Sequence, residues 1–440
     1  MKTAGRISAA IEIIAEFEHR RVPIKTVIAD WARGARYAGA KDRAWISGLC
    51  LDVLRRRRSI ARHMGDDSPR AAVLGALWTV WGMTIEEVES AADEAPHGPG
   101  ALTAIEKAKL STPQVAAAEQ YFGDYPEWMA PLMERVFGAD LNTQLVGFAE
   151  RADIDLRLNT LKAAPEKSLS ALARIKGAAI RGFVSAARIA AAPASEKSAA
   201  ITVIPAYNKG WVEVQDLGSQ IASAAAGAIK SNQVLDYCAG GGGKTLALAA
   251  MMENTGQLYA YDKDARRLKP LFARAKRAGV RNLQIRSPLG EEGLDDLQGK
   301  MDVVFVDAPC SGVGTWRRHP DTKWRLTAQQ LERRMKEQDL VLREAAQFVR
   351  PGGAMIYVTC SFLMEENEDR LDEFMKERPD FTPIPALDQI AASALVNAQG
   401  CAGLEACLTP DGAIRLTPEK IRADGFFIAA LQLANPKPEG

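Results

Sequence analysis

The chain has 440 residues, of which 47% are hydrophobic and 25% charged, and its formal net charge at pH 7 is +1. That composition is too apolar for a disordered chain, and no run approaches the roughly 18 uninterrupted apolar residues of a membrane-spanning helix. At roughly 100–200 residues per domain the length exceeds one ordinary core, so several domains are expected.

Glu12 and Glu16 stand where a signal peptide would be apolar, so a cytoplasmic location is expected. Cys50, Cys238, Cys310, Cys360, Cys401 and Cys407 are scattered without a C-x-x-C pair, and the histidines lie far from Cys401 and Cys407 in sequence. Neither a disulfide framework nor a metal site is expected from such spacing. The near-neutral total hides an uneven distribution. Residues 1–70 carry fifteen Lys/Arg against eight Asp/Glu, whereas residues 71–130 carry two against nine. A basic end raises the local concentration of a phosphate backbone without selecting its sequence.

In chain order, Ile7, Ile11, Ile14 and Phe17 recur at helical spacing between Glu12, Glu16 and Glu18, and alanine-rich helical patterns continue to about residue 110. Lys41-Asp42-Arg43 opens a run through Trp45, Ile46, Leu49 and Val53 that ends in Arg55-Arg56-Arg57-Arg58. Two readings of that arginine run stand level: a solvated helix end favoured by the helix dipole, and an RNA contact. The stretch Ala95-Pro96-His97-Gly98-Pro99-Gly100 and then Tyr125-Pro126 interrupt the pattern. From Asp153 the period changes to two, with Ile154, Leu156 and Leu158 alternating with Asp155, Arg157 and Asn159. That pattern predicts a half-buried strand, and a small mixed domain fits residues 120–205.

From about residue 206 short apolar runs alternate with helical patterns. Strands are predicted at Val234–Tyr237, Leu258–Tyr261, Leu283–Ile285, Val303–Val306 and Ala354–Val358, a doubly wound α/β pattern. Ligands of such sheets bind outside the carboxyl ends of the strands, which directs attention to the residues after each run.

The first run is followed by Cys238-Ala239-Gly240-Gly241-Gly242-Gly243-Lys244-Thr245, where glycines let backbone N–H groups and a helix N-terminus approach a ligand. A phosphate-binding P-loop needs glycine six residues before its lysine, and Cys238 occupies that place. Asp262 ends the second run, where a carboxylate commonly accepts from ribose hydroxyls; the competing role is a helix N-cap, open to Asp262 or Asp264. The fourth run ends in Asp307-Ala308-Pro309-Cys310-Ser311-Gly312 and the fifth in Thr359-Cys360-Ser361. Free cysteine is by default an inert core residue, but a thiol at a strand end can be activated below its free pKa of about 8.5.

These residues resemble those of the RNA cytosine-C5 methyltransferases, most closely the bacterial RsmB/Sun-type 16S ribosomal RNA enzymes. The resemblance rests on Asp236-Tyr237-Cys238 with Gly242-Gly243-Lys244-Thr245, on Asp307 through Gly312, and on Arg318-His319-Pro320-Asp321 followed by Lys323-Trp324. It rests further on Thr359-Cys360-Ser361 with Glu365-Glu366-Asn367-Glu368, and on Asp424-Gly425-Phe426-Phe427. Asp42-Arg43 through Arg55–Arg58 is similar to the NusB-like helical domain found at the front of that subfamily. The resemblance implies S-adenosyl-L-methionine as cofactor, Cys360 as nucleophile and Cys310 as the residue that assists its release. It places Asp307 at the cytosine edge and Lys244 as a group orienting the base. The cofactor would be held by Cys238, Ala239, Gly240, Gly241, Gly242, Gly243, Lys244, Asp262, Arg267 and Asp307.

The chemistry accounts for the pair of thiols. Carbon 5 of cytosine is a poor nucleophile until a thiolate adds to carbon 6 and pushes electron density onto it. An enzyme of this kind must reach an unstacked cytosine. Two departures stand out: Gly240 and Gly241 replace the usual alanine and proline, and Ser287-Pro288 occupies the place of an aspartate that contacts the adenine end of the cofactor. The segment from Trp316 to Arg325 mixes basic and aromatic residues, which favours contact with RNA phosphates and unpaired bases over a purely structural loop.

The expected organisation is an all-α NusB-like RNA-binding domain over 1–115, a small α+β connector over 116–205 and an α/β Rossmann-like class I methyltransferase domain over 206–436. The expected partner is RNA, small-subunit ribosomal RNA in particular, with no membrane and no metal, bound by a monomer. The competing reading is a non-catalytic RNA-binding or ribosome-assembly factor that retains the fold, for which the missing aspartate near Ser287 speaks. A DNA or protein methyltransferase is disfavoured, because the DNA cytosine enzymes place their nucleophile in the fourth-strand motif, whereas here a second cysteine follows the fifth.

Overall fold

A computed structural model describes residues 1–112, 123–193, 196, 199–288 and 293–436. The chain forms two compact units: one of Met1–Arg151, Ala191–Ser198 and Thr315–Thr327, the other of Ala152–Ala190, Ala199–Gly314 and Ala328–Gly440. Within residues 116–205, the helices Ala130–Phe137 and Leu141–Ala149 lie in the first unit, whereas the strands and the helix Pro165–Leu172 lie in the second.

The N-terminal unit is helical, with Thr3–Arg20, Ile24–Gly34, Ala40–Arg55, Arg57–Met64, Pro69–Thr79 and Ile85–Asp93 packed around Ile7, Ile14, Ile46, Leu49, Val73 and Leu77. The arginine run is solvated only in part: Arg55 is buried, Arg56 and Arg57 are half-buried and Arg58 is exposed. Its chain breaks at Arg56, and Asp124 caps the next helix from a distance by accepting from the N–H groups of Arg58 and Ser59 at 2.9 and 3.0 Å. Arg55 is buried, pairs with Asp52 at 2.6 Å and donates twice to the Arg317 carbonyl. Lys323 Nζ donates to the Arg55 carbonyl at 2.8 Å and Trp324 Nε1 to that of Leu54 at 2.6 Å, while Trp316 is buried with its ring against Phe148. For Trp316, Lys323 and Trp324 the competing structural role therefore applies: Trp316 is buried, and Lys323 and Trp324 satisfy the last carbonyls of the helix Ala40–Arg55. Burial pushes the Lys323 ammonium down to about 8, with Asp124 as the opposing carboxylate.

In the second unit, strands β1 (Ile154–Leu158), β2 (Ala178–Ala179), β3 (Ala186–Ile189) and β4 (Val212–Val214) form an antiparallel sheet in the order β2-β3-β1-β4. Leu156 and Leu158 point into a small core with Leu172 and Val212, as the alternation predicts. The opposite face differs from expectation, because Asp155, Arg157 and Asn159 are buried too. Asp155 accepts from Leu217 N–H and Arg188, and Asn159 donates to the carbonyls of Gly210 and Ala278, so this polar face docks the sheet within its unit.

The larger sheet comprises β5 (Gln233–Asp236), β6 (Gln257–Tyr261), β7 (Leu283–Arg286), β8 (Met301–Asp307), β9 (Val349–Thr359), β10 (Phe381–Ile384), β11 (Ile414–Leu416) and β12 (Phe426–Leu433). Its order is β10-β12-β9-β8-β5-β6-β7, with β11 beside β12. The five strands from β9 to β7 are parallel, and the last three join antiparallel. Buried Val234, Leu258, Phe305, Ile356 and Ile428 line one face, while Leu235, Val304, Val306, Met355 and Tyr357 line the other, as expected for strands covered on both sides. Strand order reverses at β5, which opens a crevice outside the carboxyl ends of β5 and β8.

Candidate active site

The loop after β5 enters that crevice. Its turn closes through Gly242 N–H to the Ala239 carbonyl at 2.9 Å and leads directly into the helix Gly243–Met251. Gly240 and Gly242 have φ of +52° and +82°, and a Cβ on Gly242 would lie 2.2 Å from Leu271 Cδ1. Only glycine meets both conditions at Gly242 without displacing the helix beneath. Asp262, just after β6, is buried, accepts from Gly240 N–H at 3.0 Å and from Asp264 N–H at 2.9 Å, and forms an ion pair with Arg267 at 3.0 Å. The N-cap of the helix Ala265–Ala278 is Asp264, which leaves Asp262 to organise the glycine loop. The half-buried Cys238 side chain packs against the core of β5, β8 and β9.

Beneath the loop, Asp236 is fully buried and accepts from Thr245 Oγ1 at 2.6 Å, while its Oδ1 has no hydrogen-bond partner among the described residues. Burial pushes its carboxyl up to about 7. The glycine cradle, the helix N-terminus and the Asp262 carboxylate match a nucleoside-bearing ligand with a charged tail, which is the shape and chemistry of S-adenosylmethionine. At the end of β7, where Ser287-Pro288 lacks the expected carboxylate, Arg286 donates to Asp296 at 3.0 Å and so brings an aspartate to that edge from ten residues further on.

Register explains the convergence of the cysteines. Strands β8 and β9 are parallel neighbours with Asp307 opposite Val358, so chain segments leaving both strands emerge side by side. Cys310 Sγ and Cys360 Sγ, 50 residues apart in sequence, lie 3.3 Å apart as free thiols. The contact with Cys360, then burial, pushes the Cys310 thiol well above its usual range. Lys244 Nζ donates to Asp307 Oδ2 at 2.7 Å and lies 5.2 Å from the centre of the Phe426 ring. Burial works against the Lys244 ammonium, but the charges of Asp307 and Cys360 outweigh it and raise its pKa. Lys244, Asp307, Cys310 and Cys360 therefore gather at one point of the carboxyl edge.

A polar scaffold behind the cysteines comes from residues to which the sequence reading gave no role. Thr359 Oγ1 donates to Asn367 Oδ1 at 2.6 Å, and Asn367 Nδ2 to the Ser361 carbonyl at 3.1 Å, bracketing Cys360. Gly314 N–H donates to the Cys360 carbonyl at 3.0 Å, and Gly425 N–H to the Gly314 carbonyl at 2.8 Å. The sequence signals were there, since Glu366-Asn367 and Asp424-Gly425 belong to the recurring motifs, but nothing in their spacing shows what they touch.

The family model described as 16S rRNA methyltransferase RsmB/F matches residues 227–432, the stretch that holds the glycine loop and both cysteines. Residues 227–432 are an RsmB/F-family methyltransferase domain. Its cofactor is S-adenosylmethionine. A curated relative, the probable ribosomal RNA small subunit methyltransferase B of Synechocystis sp., is 29% identical over 329 residues, or 74% of this chain and 70% of that protein. The probable protein of the same name from Bacillus subtilis is 29% identical over 227 residues, 51% of this chain and 48% of its own length. Among solved structures, PH0851 superimposes with a TM-score of 0.69 at 22% identity, covering 98% of this chain and 99% of its own. NSun6 from Pyrococcus horikoshii, solved with SFG, gives 0.59 at 20% identity over 71% of this chain and 99% of its own. The RsmB/F domain shares its fold with both.

Proposed function

We propose that the chain methylates carbon 5 of a cytosine in RNA, with small-subunit ribosomal RNA as the substrate, through a covalent bond between Cys360 and carbon 6 of the base. The observation that carries this reading is the pair of free thiols 3.3 Å apart beside the Lys244–Asp307 pair at the cofactor edge. Two cysteines serve this chemistry and are superfluous to a simple transfer onto oxygen or nitrogen. The names of the relatives supply the ribosomal RNA.

S-adenosylmethionine, when bound, supplies an electrophilic methyl group. Cys360 thiolate adds to carbon 6, and Asp307, oriented by Lys244, accepts from the N4 amino group and shares a proton with N3, which offsets the added negative charge and leaves the electron pair of the former C5–C6 double bond at carbon 5. Once carbon 5 carries the methyl group, its proton leaves to water and the C5–H electrons form the C5–C6 double bond. The C6–S bond breaks with its electron pair returning to Cys360. The Cys310 thiol, 3.3 Å away, donates a hydrogen bond to the sulfur as it departs.

The RNA backbone has a candidate track within the same unit. Lys162, Lys209, Lys276 and Arg277 line an open groove of about 680 Å³ whose floor includes Trp211, with Lys167 and Lys209 4.6 and 4.9 Å from that ring. Lysines draw phosphates without selecting sequence and the ring offers a stacking surface.

The test uses a Cys310→Ala variant incubated with labelled S-adenosylmethionine and small-subunit ribosomal RNA, then separated by denaturing electrophoresis. A protein–RNA adduct that disappears when Cys360 is also replaced supports the reading. No adduct and no methyl transfer by wild type, with RNA binding intact, leaves the assembly-factor reading in its place.

A further inference from the structure

Glu366 is fully buried, yet it contributes nothing to the chemistry described so far. Its Oε1 accepts from Ser311 N–H at 2.7 Å and from Gln338 Nε2 at 3.0 Å, and its Oε2 accepts from Ser311 Oγ. Gln338, also buried, uses the same amide to hold the Pro309 carbonyl at 2.9 Å. Of the two residues flanking Cys310, Ser311 is thus fastened to the carboxylate directly and Pro309 through Gln338. That carboxylate sits on the segment that follows Cys360, where Tyr357 OH anchors its backbone by donating to the Glu366 carbonyl at 2.7 Å. One side chain thus ties the Cys310 loop to the segment that follows Cys360.

We propose that Glu366 is the positioning residue of the thiol pair: it holds Cys310 against Cys360 and, by its negative charge, keeps Cys310 the protonated member. This rests on the reading of Cys360 as nucleophile and Cys310 as the group assisting its departure. The charges around the pair are unequal. Cys310 feels Glu366 and Asp307, while the Lys244 ammonium feels the Cys360 sulfur. Tyr357, the remaining titratable neighbour of Cys310, is held neutral by burial, and the nearby Arg370 is neutralised by Asp339 at 2.9 Å. An anion beside Cys310 disfavours a second negative charge there, so Cys310 is the member of the pair that keeps its proton. Burial pushes the Glu366 carboxyl up, against which Ser311, Ser361 and Gln338 pull it down. Two N–H donors converge on Oε1, and an ionised carboxylate satisfies every donor present.

A Cys310 that keeps its proton can donate to the departing Cys360 sulfur; an ionised Cys310 cannot. Glu366→Gln preserves the size of the side chain and the acceptor for Ser311 N–H while removing the charge. Thiolates and not thiols react with iodoacetamide, so alkylation of each cysteine, followed by peptide mapping between pH 6 and 9, reports which one is ionised. In wild type Cys360 is modified first. In Glu366→Gln the ratio of Cys310 to Cys360 modification rises about tenfold, the change expected when a neighbouring charge worth about one pH unit is removed. With RNA and S-adenosylmethionine present, the same variant accumulates the covalent protein–RNA adduct several-fold over wild type. Ser311→Ala, which deletes one donor and leaves the charge, shifts the ratio less and in the same direction. A merely structural role lowers adduct and turnover together and leaves the alkylation ratio of the folded protein unchanged, and that result overturns the assignment. Should Cys310→Ala itself give no adduct, the proposed function fails, while the alkylation ratio, which needs no RNA, still decides the role of Glu366.

Discussion

Replacing Asp236 by asparagine should make the protein's stability less dependent on pH, and the size of the effect follows from the burial of that one group. The folded-state carboxyl is pushed from its ordinary 3.8 up to about 7, because the side chain is out of water and one of its oxygens has no partner among the described residues. Between those values the folded protein holds a proton that the unfolded chain has released, so the contribution of this group to stability falls as pH rises from about 4 to 7 and is level above. About three pH units at roughly 1.4 kcal/mol each amount to about 4 kcal/mol. Asparagine carries no such dependence. It keeps the acceptor for Thr245 Oγ1, and its amide in the other position adds a pH-independent cost of roughly 1–3 kcal/mol for a buried donor without an acceptor. Urea unfolding followed by circular dichroism at pH 4.5, 6, 7 and 8, on variant and wild type together, reports the term, since groups beyond the immediate neighbours Lys244, Asp262 and Asp307 titrate alike in both. The variant's stability relative to wild type should climb with pH and level off above 7. A difference that stays flat across the series refutes the argument, and one that falls with pH reverses its sign.

Three further outcomes follow from single contacts. Gly314→Ala places a Cβ 2.0 Å from the Gly425 carbonyl oxygen, backbone against backbone, and should cost roughly 1–3 kcal/mol or more while lowering the rate of Cys360 alkylation, both measurable on one preparation. Asp124→Ala removes the distant cap of the helix Arg57–Met64 and the carboxylate opposing buried Lys323, so roughly 3–5 kcal/mol should be lost, seen as a lower thermal midpoint for the helical unit. The pair Lys209→Glu and Lys276→Glu should weaken RNA binding and flatten its dependence on salt by about two counterions, with turnover at saturating RNA unchanged; an unaltered salt slope would move the RNA track elsewhere.

How much of this was legible in sequence depends on the range of the interaction. The strands β5 to β9 and the glycine loop announce themselves through local patterns, because hydrophobic periodicity and a turn's need for positive φ act within a few residues. The basic and aromatic segment Trp316–Arg325 misled at Lys323 and Trp324, since a cation near tryptophan reads the same whether it meets a phosphate or a helix's last carbonyl. The polar residues of β1 misled in the same way: alternation records which side chains are apolar and says nothing about what covers the other face.

What the sequence by itself determined is the chemical inventory: a glycine loop opening a helix, an acid after the second strand, and two thiols each placed a short step beyond a strand. What only the tertiary structure decided is their meeting. Cys310 and Cys360 are neighbours because β8 and β9 pair in parallel with Asp307 opposite Val358. Glu366 ties the Cys310 loop to the segment that follows Cys360, and Asp296 reaches the end of β7 by pairing with Arg286. Registers between strands and hydrogen bonds between distant segments depend on which surfaces the folded chain brings together, and no local pattern encodes that.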